Sequence, residues 1–182
     1  LITKLSEAAK DIPLDTTVPV ALDWINGRRT PDANQHLKGA ISNLNLGTTA
    51  PHLFLALIHA ICFGSKTIVD RFESEGVEIK QIVGIGGVAK KSAFIMQTLA
   101  NTLDRSVMVV ESEQTPALGA AIYAALAAGL FHSFEEATKV LGSPYIAEYK
   151  PDPSQTAIMA KLMQRYTDLG ISIERLTHLN RS

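Results

Sequence analysis

The chain has 182 residues, 17 Lys and Arg against 18 Asp and Glu, and 46% hydrophobic residues. That length suits one domain or a domain with an appendage, and it suffices to bury a sizeable core. A net charge of −1 removes the electrostatic basis for broad nucleic-acid or anionic-membrane binding, and a single Cys excludes an internal disulfide framework or a Cys-rich zinc site.

Reducing cytoplasm is therefore the expected setting. No basic-then-apolar run with a small-residue cleavage site opens the chain. The longest nearly uncharged apolar stretch, Leu53 to Gly64, is shorter than the ~20 residues that span a bilayer. The first residue is Leu rather than Met, which fits a piece of a longer protein.

In chain order, Leu1 to Ile12 has apolar residues at helical spacing, and Pro13 ends it. Val18 to Leu22 is β-rich, with Pro19 pointing to an edge strand. Asp23 to Pro31 is a loop by its Asn-Gly and Thr-Pro pairs. Thr48 or Thr49 caps a helix that carries Pro51 in its first turn and runs to about Phe72. Lys80 to Ile85 is a short strand leading into Gly86-Gly87, and Ser92 to Leu103 is a helix. Ser106 to Val110 reads as a strand covered on both faces. Thr115 caps a third helix, Pro116 to Ala128, that Gly129 ends. Phe134 to Leu141 is another short helix, and Pro144 to Pro153 a turn-rich connector. Ser154 to Gly170 is an amphipathic helix with Ile158, Leu162, Met163 and Tyr166 inward. The alternation from Lys80 to Ala128 predicts a parallel strand pair with a right-handed crossover, hence an α/β fold.

The strongest chemical signal is Gly84-Ile85-Gly86-Gly87-Val88-Ala89, between a strand and a helix. Glycine lets a ligand approach the backbone, and the following helix offers free N–H groups and the positive end of its dipole to a phosphate. Lys90 and Lys91 add charge at the same corner. Gly84-x-Gly86-x-x-Ala89 also matches a dinucleotide fingerprint, with Glu111 as the ribose acid. Glu111 lies 27 positions after Gly84, further than the ~20 that fingerprint expects. Both nucleotide readings, and a turn made only for packing, stand at this point.

Two other segments draw notice. Gly119 within Ala117-Leu118-Gly119-Ala120-Ala121 costs ~1 kcal/mol relative to Ala in a helix, and close packing is the preferred reason for it. The loop Asp23 to Pro31 crowds the only Trp, two Arg and an Asp together. Asp23 as a base or an Arg as a phosphate grip competes there with the preferred reading, an Asp–Arg ion pair pinning a loop over a buried Trp. His52 and His59 read as capping or core residues, Cys62 as a small core residue, and Glu135-Glu136 as a solvated helix start. Phosphoryl transfer needs a phosphate cradle, metal ligands and a base. The chain has neither a P-loop nor an Asp-x-Gly-Thr/Ser turn.

Leu22 to Pro31, with Asn34-Gln35 and Leu37-Lys38-Gly39, resembles the FGGY carbohydrate kinases, and among them the ribulokinase branch. Leu44-Asn45-Leu46, Ala50-Pro51, Gly86-Gly87, Ile95-Met96-Gln97 and Ala117 to Ile122 carry the resemblance on, over roughly residues 14 to 130. It implies part of an actin/Hsp70/hexokinase-like (ribonuclease H-like) ATPase domain, an incomplete parallel sheet flanked by helices. Residues 1–143 then belong to the second kinase domain and 144–182 form a helical tail. It also implies ATP and Mg²⁺ as cofactors, and transfer of the γ-phosphate to the 5-hydroxyl of L-ribulose in arabinose catabolism. By the same resemblance Gly86, Gly87 and Ser92 face the adenosine, with Lys90 at that corner, and Asn43 stands where many members have a turn near the phosphates. Ribulokinases often have Asn at the position of Ser92. The catalytic Asp and the sugar-binding residues lie in an N-terminal kinase domain outside this chain, so Asp23 is not the base and the chain alone is expected to be inactive. A homodimer is a further expectation. The alternatives are a dinucleotide-binding oxidoreductase module and a non-catalytic scaffold of the same fold.

Overall fold

The computed structural model describes residues 2–15 and 17–179. Helix α1 covers Ile2–Lys10, so the part of that expectation at Leu1 lies outside the described residues. Two short strands follow, β1 (Val20–Ala21) and β2 (Ile41–Ser42), paired antiparallel, with the Leu22 N–H donating to the Ala40 carbonyl at 2.9 Å. The loop Asp23 to Pro31 is thus held between the arms of a small ladder. Its return strand has no periodic signal in the sequence.

Helix α2 (Ala50–Ser74) has Thr49 as its N-cap. The Thr49 backbone N–H donates to His52 Nδ1 at 3.3 Å, so His52 takes the place of the acid in a capping box. At 25 residues α2 is long and apolar enough to cross a membrane, longer than the expectation from Leu53–Gly64 alone. Here it is the core helix: Leu55, Ala56, Ala60, Cys62 and Phe63 are all buried.

Strand β3 (Ile82–Gly84) lies parallel to β4 (Val107–Val110), as the βαβ pattern predicts. The crossover differs from the single expected helix. It consists of a six-residue helix α3 (Gly86–Lys91), a break at Ser92, and α4 (Ala93–Leu103). Asp104 ends α4 in the left-handed region at φ 52°. Helix α5 (Thr115–Ala127) starts one residue early: Thr115 is already helical, and its hydroxyl donates to the Ser112 carbonyl instead of capping. Gly129, at φ 73°, turns the chain out of it. Helix α6 covers Phe134–Leu141, with Ser133 Oγ accepting from the Glu136 N–H and Glu136 Oε2 accepting from the His132 N–H. Glu136 is thus one half of a cap, not merely a solvated charge.

The largest departure is at 144–153. The expected connector is strand β5 (Tyr145–Tyr149), antiparallel to β4, giving the sheet order β3-β4-β5. An edge strand with mostly exposed residues and flanking prolines looks like turn until β4 supplies its hydrogen-bond partners. Helix α7 (Pro153–Leu179) then passes through Gly170 instead of stopping there.

Three apolar clusters form the core. Val20, Leu22, Trp24 and Leu37 meet Ala56, Ala60 and Phe63 of α2 and Met159, Leu162 and Tyr166 of α7. Ala89, Met96, Ala100 and Leu103 cover Val107 and Val109 of β4. Ala9, Val18 and Leu55 join α1 to α2. Helix α5 contrasts with all of this, because Ile122 is its only buried residue. A Cβ built on Gly119 would meet nothing within 4 Å, so close packing among the described residues is not why glycine stands there.

His59 is buried, and burial lowers its pKa from 6.5 to about 4. A depressed folded pKa means that the unfolded chain takes up the proton first, so stability is lost as pH falls from 6.5 through 4. His59→Phe is expected to flatten this part of the profile, read as unfolding midpoints between those pH values.

Candidate functional site

The glycine corner is built by a strand that ends abruptly. A Cβ on Gly84 would come within 3.2 Å of Met96 Sδ and 3.3 Å of Ala89 Cβ, so glycine lets α3 and α4 close over the strand end. Ile85 is extended, and Gly86 turns the chain at φ 82°, a conformation open to glycine at no steric cost. Around Gly87 the space is open, since a Cβ there would meet nothing within 4 Å. The backbone faces a cavity of about 970 Å³ lined by Gly87, Val88, Lys91, Ser92, Phe54 and Phe94, among others. Because α3 is only six residues long, it cannot supply the helix dipole expected from the sequence.

Of the five residues singled out by resemblance, Gly86, Gly87 and Ser92 share this corner, and Gly87 and Ser92 line the cavity. Ser92 caps α4, its Oγ accepting from the Ile95 N–H at 3.3 Å. Lys90 is committed elsewhere. Its ammonium donates to the Glu111 carbonyl at 2.9 Å and to Glu113 Oε1 at 3.1 Å, tying the corner to the β4–α5 loop. The hydrogen bond and charge of Lys90 hold the Glu113 carboxyl below the usual range. Asn43 sits apart, at φ 63°, with Nδ2 donating to the carbonyls of Thr17 (3.1 Å) and Val18 (3.3 Å).

The Trp24 loop forms a second constellation, around a cavity of about 300 Å³. Trp24 is buried, and Arg28 lies over its ring, 5.2 Å from the centroid. Among the described residues Asp23 pairs with neither Arg28 nor Arg29, contrary to the expectation. Arg28 instead pairs with Glu174 of α7 and donates to the Asp32 carbonyl at 2.6 Å. Asp23 accepts from the Tyr166 hydroxyl at 2.8 Å. Burial first, and then the Asp23 carboxylate, push the Tyr166 hydroxyl pKa up. Two helical glycines make room for this: a Cβ on Gly64 would fall 2.6 Å from Asp23 Oδ2, and one on Gly170 3.0 Å from Trp24. The sequence reading missed Tyr166 as a partner and both glycines. A glycine inside an otherwise apolar helix was the available signal, since it costs ~1 kcal/mol unless something needs the space. Cys62 is the core residue expected, with burial pushing its thiol up to about 12. Among the described residues no cluster of three His, Cys, Asp or Glu offers a metal site.

Residues 3–128 match the C-terminal domain of the FGGY family of carbohydrate kinases. The chain belongs to that family. A ribulokinase from Vibrio parahaemolyticus is 43% identical over all 182 residues, which make up 32% of that relative. A ribulokinase from Halalkalibacterium halodurans is 37% identical over 169 residues, 91% of this chain and 30% of the relative. The chain thus spans about a third of the length of the curated relatives it matches. In fold it is similar to a xylulose kinase from Rhodospirillum rubrum, with a TM-score of 0.83 at 22% identity over 97% of this chain and 35% of the other. A Plasmodium falciparum glycerol kinase with ADP gives a TM-score of 0.72 at 19% identity over 91% of this chain and 33% of the other. As a member of the FGGY family, the chain has no need of the dinucleotide-binding alternative. The broken α3–α4 crossover also departs from the single helix that such a fingerprint opens.

In this FGGY domain the Trp24 loop is expected to be structural. Tyr166→Phe leaves Asp23 without its hydroxyl donor, so it should destabilise the fold by about 1–3 kcal/mol, measured by denaturant unfolding.

Proposed function

We propose that this chain is the nucleotide-binding C-terminal part of a ribulokinase, which transfers the γ-phosphate of ATP to the 5-hydroxyl of L-ribulose. The identity of 43% to a ribulokinase along the whole chain carries this reading. The open backbone at Gly86 and Gly87 supports it, because an adenosine and its phosphates fit beside a chain with no Cβ in the way. In this reading Gly86, Gly87 and Ser92 hold the adenosine side. Lys90 acts through its tether to the β4–α5 loop, and Asn43 shapes a turn instead of touching the nucleotide. ATP supplies the phosphoryl group. Among the described residues no cluster of three His, Cys, Asp or Glu is present, and Mg²⁺ would be held chiefly by the ATP phosphates and water, where it would neutralise charge on the transferring group.

The catalytic base, the phosphate turn and the sugar-binding residues are assigned to an N-terminal kinase domain. The exposed apolar face of α5 and the exposed Val83, Ile85 and Val88 around β3 accord with that arrangement. Work in the cytoplasm, where ATP is supplied, and assembly as a homodimer belong to the same proposal.

Three assays test it together. The intact protein should phosphorylate L-ribulose with ATP, and the 182-residue chain alone should not. Gly87→Val in the intact protein fills the space beside the backbone and should raise KM for ATP by roughly tenfold or more, about 1.4 kcal/mol of binding. Activity of the isolated chain, or an unchanged KM in the variant, would overturn the assignment.

A further inference from the structure

A second cavity, of about 650 Å³, lies where the end of α1, α2, α4 and the start of α7 meet. Its polar groups converge without being used up. His59 is only 4% exposed and lines the cavity, yet neither ring nitrogen has a hydrogen-bond partner among the described residues. Its one recorded ring contact is with Phe63, at a centroid distance of 5.9 Å. Asn101 is 6% exposed. Its Oδ1 accepts from Gln97 Nε2 at 2.9 Å and from the Asp152 N–H at 3.0 Å, while its Nδ2 has no described acceptor. Gln97 Nε2 also donates to the Lys150 carbonyl at 2.7 Å, so its Oε1 is left to accept. The Gln155 side chain has no described partner. Among the described residues the fully buried side-chain polar atoms without a partner are Ser6 Oγ and Thr156 Oγ1, so the free groups of His59, Asn101, Gln97 and Gln155 open onto the cavity, where a ligand's hydroxyls can replace water.

We propose that this cleft binds an uncharged, polyhydroxylated small molecule, held by His59, Asn101, Gln97 and Gln155. The rim decides the charge of the ligand. Lys10 and Lys150 line the cavity together with Asp11 and Asp152, and each lysine already has a carboxylate neighbour, Glu7 and Glu148, so neither an anion nor a cation is favoured. Hydrogen bonds from Ser154 hold the Asp152 carboxyl below its usual range and keep it ionised against a phosphate. The imidazole is neutral at physiological pH, because burial lowers its pKa to about 4. It therefore presents one donor and one acceptor, and the bound hydroxyls select the tautomer. Leu55, Phe94 and Met159 give an apolar wall for the C–H face of a polyol or sugar ring, the usual mix of a small-molecule site.

The test uses the intact protein labelled with [¹⁵N]histidine and titrated with myo-inositol. This chain contributes five His to the intact protein, and the signals lost in His59→Phe identify those of His59. The expected result is a saturable shift of those signals, with none from myo-inositol 1-phosphate at the same concentration. Gln155→Ala, a substitution at the cavity mouth, should weaken binding by roughly 3- to 10-fold, as the loss of one hydrogen bond predicts. His59 signals that stay unmoved up to about 100 mM myo-inositol would overturn the proposal. So would an equal response to the phosphate, or an unchanged affinity in Gln155→Ala.

Discussion

Burial of helix α2 is the constraint on which the rest of the molecule depends. It belongs to two of the three apolar clusters, through Phe63 in one and Leu55 in another, and its Val69 packs against the third. Each large side chain taken out of water there contributes about 1.5–3 kcal/mol, so a helix that displays apolar residues on several sides has no better place than the middle. Elements around it are placed by that demand. Helix α7 lies across it at Phe63 and Tyr166, β1 and α1 pack at one end, and α4 reaches it from the sheet side. The glycine corner and the Trp24 loop are positioned relative to each other only because both are tied to this helix.

These two regions differ in how fully they are satisfied. In the Trp24 loop Asp23 is partnered by Tyr166 and Arg28 by Glu174, and beside the loop Asp32 pairs with Arg71 at 2.8 Å. Helical glycines at 64 and 170 remove the atoms that would otherwise collide there. Around Gly86, Gly87 and Gly119 the opposite holds, and an added Cβ would meet only open space. A glycine that relieves a clash inside the chain is explained by packing. A glycine facing open space needs another reason, and the approach of a nucleotide to the backbone supplies one at Gly87.

Much of the α/β pattern was legible from residue order because it rests on local physics. The apolar runs of β3 and β4, the glycines between them and the cap at Thr49 all act over a few residues. So does the inward face of the first part of α7, with Ile158, Leu162, Met163 and Tyr166. The less legible features depend on partners far along the chain. Strand β2 has no apolar alternation of its own and exists because β1 is beside it. Strand β5 is exposed at Tyr145, Ile146 and Glu148 and bounded by prolines, so only the free edge of β4 makes it a strand. Gly170 reads as a helix stop in sequence, yet it sits inside α7 because Trp24, 146 positions earlier, occupies the space of its side chain.

The sequence by itself determined the family, the order of helices and strands around the glycine corner, and the residue types available there. The family is carried by the resemblance of its motifs, while the order of elements follows from spacing, capping and apolar periodicity, which are properties of neighbouring residues. Only the tertiary structure decided which of the candidate residues meet. It put Gly86, Gly87 and Ser92 on one corner, turned Lys90 toward Glu111 and Glu113, and set Asn43 against the Thr17 and Val18 carbonyls. It also gave Asp23 a tyrosine in place of an arginine, and left His59 buried at a polar cavity with no hydrogen-bond partner among the described residues. Charge and hydrogen-bonding capacity are written in the residue, but a partner is a matter of distance, and distance is set by how the helices pack.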